Sequence, residues 1–103
     1  MEKDEFIGQV SQEQIDEWKK KHKKVTGIIV DGHIGYLRPV DRKTLSYASS
    51  FGTKDPFKFN ETILNNCWLG GSEAIKTDDT LFLSASAKIA DMIEIKDAEL
   101  VNL

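Results

Sequence analysis

Residues 55–71 read DPFKFNETILNNCWLGG, and the rest of the chain is organised around them. Asp55 is a good N-cap, since its carboxylate can accept from the first free amides of a helix. Pro56 falls at the first helical position, where its missing N–H costs nothing. Gly70 and Gly71 offer the left-handed residue that commonly closes a helix. Between these marks Phe57, Phe59, Ile63, Leu64, Cys67, Trp68 and Leu69 make a broad apolar face that has to be buried. The pattern predicts one helix that runs to the glycine pair. Nothing on its face does recognisable chemistry.

Upstream lies the clearest β signal, VTGIIVDGHIGYLRP, residues 25–39. Asp31-Gly32 between two β-branched and aromatic runs is a strong hairpin signal. A two-residue loop there pairs Val30 with His33, Ile29 with Ile34, and Gly27 with Tyr36. Period two then puts Val25, Ile29, Ile34 and Tyr36 on one face and Ile28, Val30 and Leu37 on the other. Both faces are apolar. A lone hairpin is marginal in water, so helices or a second copy must cover it.

The flanks carry their own punctuation. Residues 1–9 show no period and read as a flexible arm, pinned by Phe6 and Ile7. A peripheral helix over 11–23 starts at the Ser11/Gln14 capping pair, with Val10 and Ile15 as a hydrophobic staple. Its acids come first and its bases last, which suits the helix dipole. Pro39 stops the second strand. Asp41 caps a further helix that turns Leu45, Ala48 and Phe51 inward and ends at Gly52. SEAIKT, residues 72–77, is a connector or a single helical turn. The last helix starts near Thr77, and LFLSASAKIADMI, residues 81–93, is apolar on more than one side, which predicts burial on several sides. The remainder to residue 101 is assigned to helix. The expectation is one α+β domain over 1–103: a two-stranded antiparallel β-hairpin over 25–38, packed with three or four α-helices, most of them in a helical part over 41–101.

Composition bounds the function. A chain of 103 residues, 40% apolar and 30% charged, fits one soluble domain of modest core. No apolar run approaches the roughly 20 residues that span a bilayer. MEKDEFIGQV lacks the basic-then-apolar layout of a signal peptide, so a cytoplasmic location is the default. A net charge of -3 and a pI near 5.3 argue against a surface built wholly for nucleic acid.

Candidate sites dissolve into structural readings one by one. The basic run KKKHKK, residues 19–24, lacks interleaved aromatics and reads as a solvated helix terminus. His22, His33 and Cys67 show none of the local pairing that a zinc site needs. Asp31 and His33 flank a tight turn, which explains the aspartate without a metal. Cys67 as a nucleophile is outweighed by Cys67 as a small buried side chain. Asp78 and Asp79 have a sufficient role in a first helical turn. No catalytic residue, metal site or cofactor is expected. Asn60, Asn65 and Asn66 lie on the polar side of the central helix as possible contacts.

Two segments resemble a known family. YLRPVDRKTL, residues 36–45, resembles the passage from strand through Arg and Pro into helix in small phage tail assembly chaperones. FNETILNNC, residues 59–67, resembles the helix that follows there, and the order of hairpin then helices also agrees. The resemblance covers roughly residues 25–71. It implies a non-enzymatic role: binding tail proteins, such as the tape-measure protein, during assembly of a phage or prophage tail. Residue type then selects Tyr36, Arg38, Arg42 and Trp68 as protein contacts. Two other classes explain parts of the same sequence: a homo-oligomeric interaction module, and a small nucleic-acid-binding regulator using residues 19–24.

Overall fold

Asp31 and Gly32 both take positive φ, 48° and 82°, which is the backbone of a type I′ hairpin turn. Around that turn β1 (Thr26–Val30) and β2 (His33–Leu37) pair antiparallel. The register is the one the sequence dictates, with Val30 opposite His33 and Gly27 opposite Tyr36. The structure is a computed structural model that describes residues 5–51, 54–93 and 98–103. In chain order the other elements are α1 (Gln12–His22), α2 (Arg42–Ser49), α3 (Pro56–Cys67), β3 (Trp68–Gly71), α4 (Ala74–Thr77) and α5 (Asp79–Ile89), closed by a 3-10 turn at Ala90–Met92.

The caps form where their residue types require. Ser11 accepts from the Gln14 amide, Asp41 from that of Thr44, and Asp55 from that of Lys58. Each satisfies an amide that the helix itself cannot pair. Pro56 occupies the first turn of α3.

The sheet has three strands in the order β1-β2-β3, which corrects the two-stranded expectation. The helix expected to run to the glycine pair ends at Cys67. Trp68 turns to φ -65°, ψ 126°, and the chain continues as strand, pairing Leu37 with Trp68 and Gly35 with Gly71. The reason is tertiary. The Cys67 carbonyl accepts from the Arg38 amide at 2.9 Å, and the open side of β2 takes the next four residues. Gly35 makes room, because a Cβ there would lie 2.5 Å from the Trp68 ring.

One face of the sheet carries the core. Ile28 and Leu37 pack with Ala48, Ile63, Leu64, Cys67, Ile75, Ala85 and Ile89, and Val30 joins them from the edge. The large side chains buried completely here each contribute about 1.5–3 kcal/mol, whereas α1 buries no residue fully. The core therefore lies between the sheet and helices α2 to α5. On the opposite face α1 lays Trp18 against Tyr36, ring centroids 5.5 Å apart. The layers are α1, sheet, helices.

Other expectations need correction. The last helix is not buried on several sides: α5 buries Leu81, Ala85, Ser86 and Ile89 along one face and leaves Leu83 exposed. It packs against α3, α4 and β1 through one stripe. Residues 98–103 are neither helix nor strand, contrary to the helical assignment of the tail, and 94–97 lie outside the described residues. So does Gly52, the expected end of α2, whose last helical residue is Ser49. Of the arm, residues 1–4 lie outside the described residues. Ile7 is tied: its amide donates to the Gly32 carbonyl at 2.8 Å, and its carbonyl accepts from Ile34 at 2.9 Å.

Candidate functional site

Arg38 is the first of the four selected contacts, and the fold consumes it. It leaves β2 just before Pro39, with its side chain folded against the start of α2 and the end of α3. Its guanidinium donates to the carbonyls of Pro39 (3.0 Å) and Asn66 (2.9 Å) and to the Thr44 hydroxyl (3.1 Å). The Asp41 carboxylate lies 3.5 Å away. Planar donors fanning to several acceptors are what guanidinium offers and ammonium does not. Thr44, through its hydroxyl and its amide, holds the Asp41 carboxyl below its ordinary range, and the Arg38 charge adds to this. The cluster is a latch between three elements.

Tyr36 and Trp68 are also spent internally. Tyr36 is 5% exposed, and its hydroxyl accepts from the Val10 amide at 3.3 Å. Trp68 lies over Gly35 on the core side of the sheet. Its indole N–H donates to Glu73 at 3.1 Å, and the Lys76 ammonium sits 4.9 Å from its ring. Glu73 and Lys76 are themselves paired at 3.0 Å. Of the four, only Arg42 stands exposed, in the first turn of α2. The structure does not gather them into one surface.

The groups with chemical potential are equally committed. Cys67 is fully buried, and desolvation pushes its thiol up, against a smaller opposing pull from Arg38. A thiol so placed is a poor nucleophile. His33 Nδ1 meets the Ser72 hydroxyl at 2.8 Å, which joins the hairpin to the end of β3. Among the described residues no group of three or more His, Cys, Asp or Glu could hold a metal ion. The lysines of residues 19–24 crowd the last turn of α1 and its cap, where Lys23, at φ 72°, donates its amide to the Lys19 carbonyl. Asn66 serves α3 itself, donating its side-chain amide to the Thr62 carbonyl.

Among the described residues some large apolar side chains also stand exposed. Tyr47 near the end of α2 is 57% exposed and Phe57 at the start of α3 is 55% exposed. Phe51, in the turn after α2, meets Tyr47 edge-on at 5.6 Å, and Lys58 stands 5.7 Å from its ring. Sequence reasoning placed Phe57 in the core, because the apolar face of α3 was taken to begin at its first turn. Tyr47 drew no attention because its helix seemed explained by Leu45 and Ala48. Among the described residues no helix is long and apolar enough to cross a membrane. The chain matches no protein-family model, no curated protein and no solved structure.

Proposed function

We propose that this protein is a non-catalytic binding protein that holds a segment of another protein, in the manner of the phage tail assembly chaperones that residues 25–71 resemble. The observation that carries the reading is the exposure of Tyr47 near the end of α2, edge-on to Phe51, and of Phe57 at the start of α3. Aromatic side chains supply large contact area for little conformational entropy, and they dominate binding energy where they are exposed and clustered. Arg42 at the other end of α2 adds a charged rim. Arg38 ties the start of α2 to the end of α3. The partner on this reading is a tail protein such as the tape-measure protein, met in the cytoplasm during prophage tail assembly.

The test is affinity capture of the tagged chain from cells after prophage induction, with mass spectrometry of the bound proteins. A tail protein recovered by the wild type and lost with the Tyr47→Ser/Phe57→Ser variant supports the reading. Recovery of the chain alone, or of the same proteins by the variant, overturns it.

A further inference from the structure

The hairpin brings two basic segments to one end of the sheet. Thr26 opens β1 opposite Leu37, the last residue of β2, so the chain arriving from α1 and the chain leaving toward α2 run side by side. Residues 19–43 hold eight of the chain's 14 lysines and arginines and two of its 17 acids. All eight bases fall in residues 19–24 and 38–43, which flank that end. Of the two acids, Asp31 sits in the hairpin turn, about 17 Å away along a strand of five residues. Asp41 is committed, since it accepts from the Thr44 amide at 2.8 Å and lies 3.5 Å from the Arg38 guanidinium.

The two segments meet. His22, at the end of α1, lines a hollow of about 450 Å³ together with Arg38, Pro39 and Asp41. Lys19, Lys20, Lys21 and Lys23 from the first segment and Arg42 and Lys43 from the second are all exposed. Glu17, beside Lys20 and Lys21, offsets part of this charge. The surface is built without Lys24, which has an interaction of its own. Lys23 carries a further signal. At φ 72° it closes α1 in a conformation where glycine is the unstrained residue, and the chain places an ammonium there instead.

The character of this surface selects its occupant. None of the large hydrophobic residues that stand exposed among the described ones falls in 19–24 or 38–43. Peptide grooves and membrane-inserting surfaces rely on apolar anchors. Nucleic acid is held by cations on its phosphates, and a duplex carries one charge per about 1.7 Å of axis, enough for each of several neighbouring cations. We propose that Lys19, Lys20, Lys21 and Lys23, together with Arg42 and Lys43, bind the phosphate backbone of duplex nucleic acid without reading its sequence. The contact is local to one end of an otherwise acidic chain. It is separate from the aromatic side chains to which the tail protein is assigned, so either reading can fail without the other.

Fluorescence anisotropy of the purified full chain with two labelled DNA duplexes of unrelated sequence tests it. Both should bind equally, and about four neutralised phosphates imply roughly a hundredfold loss of affinity between about 50 and 200 mM salt. Lys20→Gln/Lys21→Gln and Arg42→Gln/Lys43→Gln should each weaken binding at least about tenfold at low salt and lower the salt slope by about two. Lys23→Gly relieves the positive φ, so it should melt higher yet bind severalfold more weakly. Lys54→Glu changes the net charge as much as either double variant and should leave the affinity unchanged. No binding, full affinity in any of the three site variants, or an equal loss with Lys54→Glu overturns the proposal. Equal binding of polyglutamate, or of vesicles containing phosphatidylserine, overturns it too and assigns the surface to an acidic protein or a lipid face.

Discussion

Arg38 and Arg42 are both arginines beside the same helix start, yet they should behave very differently. Removing Arg38 frees three hydrogen bonds from a charged donor and leaves the Thr44 and Asn66 acceptors without it. Arg38→Ala is expected to lower stability by about 2–3 kcal/mol, and Arg42→Ala, at an exposed site, by no more than about 0.5 kcal/mol. Urea unfolding of the two variants measures both. Asp41 supplies a pH signature of the same latch. Its carboxyl is held below the ordinary range, so the folded state binds a proton there less readily than the unfolded chain. The resulting stabilisation is complete above an unfolded-state value of about 4 and fades as pH falls through the lower folded value. The stability difference between wild type and Asp41→Asn should accordingly narrow on acidification through that window. A difference that stays constant between neutral and acid pH would contradict the assignment.

At the scale of elements, β3 depends on a fit between one glycine and one indole. A methyl at Gly35 would sit 2.5 Å from the Trp68 ring, and it would meet Ile28 at 3.5 Å. Gly35→Ala is expected to cost about 1–3 kcal/mol through overpacking. Trp68→Leu removes the obstacle, so the double variant should lose less than the sum of the single losses, a coupling that thermal melts can resolve. Helix α1 is held differently. It buries no residue fully and meets the sheet mainly through Trp18 on Tyr36 and Gly70. Elements with few buried contacts open first. Amides of α1 should therefore exchange faster than those of α3, and Trp18 should report a lower unfolding midpoint than Trp68. Coincident midpoints in single-tryptophan variants would show instead that the two faces of the sheet unfold as one.

For the whole molecule, the sheet separates α1 from the layer formed by helices α2 to α5. The core between sheet and helices holds Leu37, Ile63, Leu64, Ile75 and Ile89 with essentially no exposure, and on the other face Trp18 of α1 packs on Tyr36. This arrangement leaves Tyr47 near the end of α2 and Phe57 at the start of α3 exposed. On the proposed reading, partner binding is lost when Tyr47 and Phe57 are replaced.

The hairpin, its register, the caps at Ser11, Asp41 and Asp55, and the α+β class were determined by the sequence alone, because each rests on neighbours a few residues apart. Turn chemistry at Asp31-Gly32 needs no distant help, nor does a carboxylate accepting from an amide three residues on. What the tertiary structure decided lay at long range. WLGG read as the close of a helix because glycine after an apolar run usually is one; it became a strand because β2 offered an unpaired side and Gly35 offered room. Tyr36, Arg38 and Trp68 read as contacts by residue type, and only the fold shows that each also has partners within the chain, up to 28 residues away for the Asn66 carbonyl that Arg38 reaches. The exposed face of Tyr47 and Phe57 was hidden for the same reason: periodicity shows that a helix has an apolar stripe, and only packing decides which part of it is covered.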